Sequence, residues 1–97
     1  MTVWFVSRHP GAVDWARRRD LGIDVWLVHL DATRVGAGDT VIGSLPLHLA
    51  AEVCSRGARF LHLTLGIPAE WRGRELSADE LEAAGTRLEQ FFVKGIA

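Results

Sequence analysis

The sequence predicts one α/β domain spanning residues 1–97, in which a mostly parallel four-stranded sheet is flanked by three helices in a compact, Rossmann-like layered fold. Two strand–helix–strand segments, in residues 2–30 and 39–65, carry this prediction because such units join parallel strands by right-handed crossovers. A length of 97 residues suits one domain. The hydrophobic share of 48% and the charged share of 24% are those of an ordinary globular protein.

Four runs of apolar or β-branched residues predict the strands. Residues 2–6 are apolar after the first position, as expected of a strand that is covered on both faces. Residues 24–30 form the second strand, and residues 39–43 form a short, β-branched third strand. Residues 58–65 alternate between two sets of side chains, as the two faces of a strand require. Residues 31–38 lack apolar periodicity, so they predict a loop that leaves the direction of one strand open.

Helix signals follow the first and the third strand. Residues 11–20 predict a helix that Gly22 ends. A second helix opens around Pro46, a residue suited to the first helical position, and ends at Gly57.

The third helix has the clearest start signal in the chain. After a linker at residues 66–76, Ser77 and Glu80 form a capping box, in which each side chain satisfies a backbone N–H of the other. Apolar residues at helical spacing then extend the predicted helix through Leu81 and Leu88 to Phe91.

Charge and composition exclude several kinds of partner. The net charge of −1 provides no field to attract long nucleic acids, so an anionic ligand would have to be held by local groups. A single cysteine, Cys54, allows no internal disulfide and suits a reducing compartment. No signal-type segment follows Met1, and no run approaches the roughly 20 apolar residues of a membrane span. We therefore expect a cytoplasmic protein with no membrane partner.

The motifs indicate neither a cofactor nor a metal. The sequence contains no GxGxxG and no GxxxxGK[ST], which excludes nucleotide cradles of those kinds. Four histidines are present, but no HExxH motif and no cysteine cluster accompany them. His62 lies mid-strand and is expected to be a hydrogen-bonded residue, either in the core or half-buried. His29 is expected to pair with Asp31, with a site role as the alternative, and Cys54 is expected to pack in the core.

A polar turn follows the first strand. Ser7, Arg8 and His9 precede Pro10 and Gly11, at the point where the strand gives way to a helix. In open α/β sheets, ligands bind outside the carboxyl ends of the strands. The start of a helix adds free N–H groups and a positive dipole end, both suited to an anion. The alternative is a polar turn with no ligand role.

A second polar turn follows the third strand. If the first and third strands are parallel neighbours, Gly43, Ser44 and His48 face the same crevice as the first turn. Gly43 would let the backbone approach a ligand closely, and Ser44 would supply a hydroxyl. For His48 the alternative is a pairing with Glu52, one helical turn further on.

These side chains suit one class of reaction. Cleavage of an RNA-type phosphodiester requires the substrate's own 2′-hydroxyl to be aligned with phosphorus, and positioning and electrostatics supply most of the acceleration. A histidine can move the proton. Such a reaction needs no protein nucleophile and no metal.

Four motifs together resemble a known family. They are SRHPGA at residues 7–12, GDTVIGSLP at 38–46, HLAAEV at 48–53 and RGREL at 72–76. They resemble the small CRISPR-associated Csx-type proteins of the VVA family, over residue 2 to about residue 90. The resemblance implies a ring nuclease, a homodimer that binds cyclic tetra-adenylate and cuts it, which switches off type III CRISPR signalling. It also implies a fold related to the Rossmann-like (CARF-like) domains that sense cyclic oligoadenylates.

The resemblance also implies site residues. The catalytic candidates are Ser7, Arg8 and His9, and the ligand-binding candidates are Gly43, Ser44, His48 and Arg74. Arg8 would hold the scissile phosphate and His9 would move the proton, giving linear products that end in a 2′,3′-cyclic phosphate without a metal. Arg72 and Arg74 would close over the ligand from the linker, or would belong to a solvated loop.

Two other functions fit the same sequence. A sponge or sensor would sequester cyclic oligoadenylate in the same turns without cutting it. An interaction subunit would instead present Trp15, Trp71 and Phe92 to a protein partner and would have no affinity for the cyclic ligand.

Overall fold

A computed structural model of the chain, which describes residues 1–96, contains five strands and three α-helices. The strands are β1 (Val3–Val6), β2 (Val25–Leu27), β3 (Thr40–Gly43), β4 (Arg59–Thr64) and β5 (Arg87–Phe91). The helices are α1 (Pro10–Arg18), α2 (Leu47–Ser55) and α3 (Ala78–Ala83), and short 3₁₀ helices occur at Ala32–Arg34 and Ala69–Trp71. None of the helices among the described residues is long and apolar enough to cross a membrane.

The strands form one sheet in the order β2-β1-β3-β4-β5. The first four are parallel, and β5 runs antiparallel to β4. Val6, at the end of β1, is level with Leu27 on one neighbour and with Gly43 on the other. The first and third strands are therefore parallel neighbours, which is the condition for a crevice shared by the two polar turns, and the turns that follow them leave the same edge of the sheet.

The predicted four-stranded sheet is wrong in its count, because the end of the predicted third helix is a fifth strand. Helix α3 ends at Ala83, and Gly85 follows in the left-handed region with φ +73°, a conformation that commonly closes a helix. Residues Arg87–Phe91 then pair with β4, whose outer edge would otherwise expose unpaired backbone groups. Leu88 packs against the core from the strand, so its helical spacing from Leu81 was coincidental.

The helices cover both faces of the sheet. Alternate residues of the strands point to opposite faces, and they form two apolar clusters. Helix α2 packs on the face of the cluster that includes Trp4, Val6, Val41, Val53 and Phe60. Helices α1 and α3 pack on the other face, whose cluster includes Phe5, Ala12, Trp15, Ile42, Leu63 and Leu81. This covering explains why β1 and β3 are almost continuously apolar.

Helices α1 and α3 are tied together by polar contacts as well as by packing. Trp15 is only 3% exposed, and its indole N–H donates to Glu82 at 2.8 Å. Trp15 therefore belongs to the core, and its prediction as part of a partner surface is wrong. Arg18 donates to Asp79 at 2.6 Å, and Arg19 forms an ion pair with Glu82.

The start of α1 packs too closely against the segment before α3 to admit a side chain. A Cβ atom at Gly11 would lie 1.7 Å from the carbonyl oxygen of Leu76. Alanine normally stabilises a helix relative to glycine by about 1 kcal/mol, but here it would force α1 and the linker apart.

We expect Gly11→Ala to lower the free energy of unfolding by about 1–3 kcal/mol, as overpacking does. Chemical denaturation measures the change. Gly95→Ala is the control, because a Cβ atom there meets nothing within 4 Å. Equal or higher stability of Gly11→Ala would contradict this account of the contact between α1 and the linker.

A buried carboxylate joins the start of β1 to the turn before β3. Asp39 is 7% exposed and accepts hydrogen bonds from three groups. The backbone N–H of Thr2 and that of Gly36 each donate at 2.9 Å, and the Trp4 indole N–H donates at 3.1 Å. These bonds favour the ionised form, so the N–H of Thr2 first, then that of Gly36 and the Trp4 indole, lower the pKa of Asp39.

The lowered pKa of Asp39 gives its contribution to stability a defined dependence on pH. A carboxyl whose pKa is lower in the folded state stabilises the fold above its unfolded pKa, and the stabilisation is lost as the pH falls through the folded pKa. We expect Asp39→Asn to cost about 2–4 kcal/mol at neutral pH, since its amide faces N–H donors. The difference from the wild type should shrink as the pH falls below about 4. Denaturation at a series of pH values measures it, and a difference independent of pH would contradict the assignment.

Candidate functional site

A cleft of about 460 Å³ opens at the carboxyl ends of the parallel strands. This volume lies within the range of small-molecule sites. Polar residues contribute to its wall from several segments: Ser7, Arg8 and His9 after β1, His29 after β2, Ser44 after β3, and Arg74 and Glu75 before α3. Its apolar lining includes Ala12, Leu49, Leu63, Leu76 and Leu81. A polar rim over an apolar floor is typical of sites that hold an organic ligand.

The first turn is held by its own hydrogen bonds. The N–H of Ser7 donates to the carbonyl of Leu27 at 2.9 Å, and the Ser7 hydroxyl oxygen accepts from the N–H of His9 at 3.1 Å. His9 is the N-cap of α1 with an extended backbone, and Pro10 follows at the start of the helix. Helix α1 therefore starts directly at the cleft, which places the positive end of its dipole there.

The side chains of Arg8 and His9 are exposed and line the cleft. Among residues 1–96, neither side chain takes part in an ion pair or in a hydrogen bond. A guanidinium presents five N–H donors in a planar fork, so Arg8 is available to bind an oxyanion from the cleft.

The second turn is shaped by a close approach of two strands. A Cβ atom at Gly43 would lie 2.4 Å from the carbonyl oxygen of Val6, and the φ of Gly43 is +153°. The absence of a side chain at Gly43 thus lets β1 and β3 pair. The sequence suggests a different reason for this glycine, namely the close approach of a ligand. Ser44 follows, and its hydroxyl donates to the carbonyl of Leu63 at 3.2 Å. The Ser44 oxygen keeps its acceptor capacity toward the cleft.

Arg74 lines the cleft from the segment before α3, where two neighbours hold it. Its guanidinium donates to Glu80 at 2.6 Å and lies 5.2 Å from the centre of the Trp71 ring. Glu80 also accepts from the N–H of Ser77 at 3.0 Å, which completes the predicted capping box of α3. The N–H of Ser77 first, and then Arg74, lower the pKa of Glu80. Arg74 is therefore positioned by an ion pair and not left in a loose loop.

Five of the seven predicted site residues line this one cleft. They are Ser7, Arg8, His9, Ser44 and Arg74. Gly43 lies directly before Ser44 and supports the strand pairing. His48 is exposed on the first turn of α2 and is not among the cleft's lining residues. The alternative for His48 is wrong, because among the described residues Glu52 forms its ion pair with Arg56 at 3.6 Å and not with His48. The ligand role of His48 stays a prediction.

Sequence reasoning gave too little weight to His29, which lines the cleft after β2. The predicted pairing with Asp31 is wrong. The Asp31 carboxylate accepts from the hydroxyl of Thr33 at 2.6 Å and from its N–H at 3.0 Å. These two bonds, the hydroxyl first, lower the pKa of Asp31. The rule that placed the first and third turns at the site applies equally to the carboxyl end of the second strand.

Two other sequence expectations are confirmed. His62 is half-buried, and its Nδ1 lies 2.9 Å from the Thr64 hydroxyl. Its ring also packs edge-on to Phe91 on β5. Cys54 is buried beside the end of β5, where the N–H of Val93 donates to its sulfur at 3.4 Å. Neither residue lines the cleft.

Comparison with protein families places these elements in a known group. A family model described as "Putative CRISPR-associated protein (Cas_VVA1548)" matches residues 4–94, which include every element of the cleft. The chain belongs to this CRISPR-associated family. The resemblance stated from the four motifs is therefore confirmed. Comparison with curated proteins and with solved structures found no match.

Proposed function

We propose that this CRISPR-associated protein is a ring nuclease that cleaves cyclic tetra-adenylate, the second messenger of type III CRISPR defence. The observation that carries the proposal is the convergence of Arg8, His9 and Arg74 on one cleft at the carboxyl edge of the sheet. The Arg8 guanidinium and the start of α1 supply positive potential for a phosphodiester, whereas the charge of Arg74 is shared with Glu80 and the chain as a whole has a net charge of −1. The apolar floor suits the face of a base.

The proposed reaction uses the substrate's own 2′-hydroxyl as the nucleophile. Arg8 holds the non-bridging oxygens of the scissile phosphate and stabilises the charge that develops on them. His9 accepts the proton of the 2′-hydroxyl as its oxygen attacks phosphorus. Ser7 and Ser44 border the phosphate path, and Arg74 contacts the ligand from the segment before α3. The bond from phosphorus to the 5′-oxygen breaks and that oxygen takes up a proton, so the products are linear and end in a 2′,3′-cyclic phosphate and a 5′-hydroxyl. The mechanism requires no metal.

A homodimer fits the size of this ligand. The cleft of about 460 Å³ lies in the lower half of the range for drug-sized ligands, and a cyclic tetranucleotide is larger than such a ligand. Two clefts related by a two-fold axis would contact a ring with repeated phosphates twice. This arrangement agrees with a relationship between the helix-covered sheet and the Rossmann-like (CARF-like) domains that sense cyclic oligoadenylates.

A sponge that binds the same ring without cutting it is the second candidate. It is favoured by the hydrogen bonds that already engage both serine hydroxyls of the cleft, at Ser7 and Ser44. In a sponge these two hydroxyls would support the turns, and Arg8 and Arg74 would hold the phosphates.

Ligand in excess over protein distinguishes the two candidates. Calorimetric titration gives the stoichiometry of binding, and chromatography of the same mixture after incubation gives the turnover. A nuclease converts many equivalents of ring into linear product. Tight binding that saturates while the ring stays intact identifies a sponge, and a lack of binding by the wild type overturns both candidates.

A further inference from the structure

We propose that His29 is a second catalytic residue, which donates a proton to the leaving 5′-oxygen while His9 accepts the proton of the 2′-hydroxyl. The inference rests on the proposed function and adds to it a general acid from a different strand. It follows from the position of His29, from the state of its ring and from the geometry of the reaction.

The pairing of β1 with β2 brings the segment that carries His29 to the cleft. Val6 is level with Leu27, and the N–H of Ser7 donates to the carbonyl of Leu27 at 2.9 Å. The pairing therefore extends one residue past the end of β1. His29 follows Leu27 by two residues and His9 follows Val6 by three, and both imidazoles line the same cleft.

The ring of His29 is not used to hold the fold. Among residues 1–96, none of the hydrogen bonds or ion pairs involves it, and the carboxylate nearest in sequence, Asp31, is bound to Thr33. His29 is exposed at the cleft, where the other charged or titratable side chains are Arg8, His9, Arg74 and Glu75. An imidazole with both nitrogens available can carry a proton to a substrate oxygen.

The reaction needs proton transfer on two sides of the phosphorus. The 2′-oxygen forms its bond to phosphorus as the bond from phosphorus to the 5′-oxygen breaks, with the two oxygens roughly in line. His9 takes the proton from the 2′-hydroxyl, and His29 gives a proton to the 5′-oxygen, so charge and atoms balance without another reactant. One turn cannot readily reach both sides of the phosphorus. The ends of two neighbouring strands, about 5 Å apart, can supply the two groups.

A substrate with a sulfur leaving group tests the acid role directly. Cyclic tetra-adenylate is compared with the same ring in which one 5′-bridging oxygen is replaced by sulfur, because a thiolate leaves without prior protonation. We expect His29→Ala to turn over the unmodified ring about 10²–10⁴-fold more slowly than the wild type, because a general acid usually contributes that factor to the rate. On the sulfur-containing linkage this variant should cleave within about tenfold of the wild type, whereas His9→Ala stays impaired on both substrates.

Asp31→Asn is the matched control, because it removes the carboxylate but keeps an acceptor for the N–H of Thr33. It should cleave the unmodified ring as the wild type does, and His29→Gln should behave as His29→Ala. Three results would overturn the inference while leaving the proposed function intact. They are wild-type turnover by His29→Ala, an equal loss on both substrates, and the same loss in Asp31→Asn. A wild-type protein that cleaves neither ring would overturn both.

Discussion

Replacing His9 with alanine is expected to lower the turnover of cyclic tetra-adenylate by about 10²–10⁴-fold, the contribution of a positioned general base. The His9 side chain lines the cleft and makes no hydrogen bond among residues 1–96, so its removal leaves the turn intact. The backbone N–H of His9 still reaches Ser7 in the variant. Rates measured with protein in excess over ligand isolate the cleavage step from product release.

His9→Asn separates chemistry from stability. Position 9 is the N-cap of α1, where asparagine is among the preferred residues, so this variant should unfold at the same or a higher denaturant concentration than the wild type. It should nevertheless lose activity as His9→Ala does, because an amide does not transfer protons at neutral pH. Turnover within about threefold of the wild type in His9→Asn would show that the imidazole is not the base.

Replacing Arg8 with alanine is expected to lower turnover by about 10²–10³-fold, as the loss of one group that stabilises a developing oxyanion does. Arg8 is the cleft's guanidinium without a protein partner among the described residues, whereas Arg74 shares its charge with Glu80. Arg8→Lys should recover part of the loss, because an ammonium keeps the charge but not the planar fork of donors. Single-turnover rates and ligand affinity, measured together, separate cleavage from binding.

Arg56→Ala is the control for Arg8→Ala. Arg56 caps the far end of α2, forms an exposed ion pair with Glu52 at 3.6 Å and does not line the cleft. It should retain the affinity and turnover of the wild type. Equal losses of turnover in Arg8→Ala and Arg56→Ala would indicate an effect of the overall charge of the protein and not of the cleft. A loss of affinity without a loss of the cleavage rate in Arg8→Ala would favour the sponge.

The parallel part of the fold could be predicted from sequence because its signals are local and agree with one another. The apolar run that became β1 and the β-branched run that became β3 are buried on both faces, as their composition requires. Glycines at 22 and 57 follow the first two helices with positive φ. Once β1 and β3 are neighbours, the convergence of Ser7, Arg8, His9 and Ser44 follows from the direction of the strands.

The fifth strand could not be predicted in this way, because residues 81–91 carry the pattern of a helix. Leu81, Leu88 and Phe91 are spaced as one face of a helix is, and the sequence of residues 87–91, RLEQF, does not alternate as a strand does. The open edge of β4 and the left-handed Gly85 decide between helix and strand, and both are properties of the folded chain. The pairing partner of Asp31 is likewise a contact that spacing does not specify.

The most direct test of the central claim is the incubation of the wild-type protein with cyclic tetra-adenylate in excess EDTA, followed by mass spectrometry of the products. The same assay with cyclic oligoadenylates of other sizes gives the preference of the protein for ring size. We expect cleavage at the rate seen without EDTA, and linear adenylates that end in a 2′,3′-cyclic phosphate and a 5′-hydroxyl. An intact ring, cleavage only with an added metal, or products with a 5′-phosphate would contradict it.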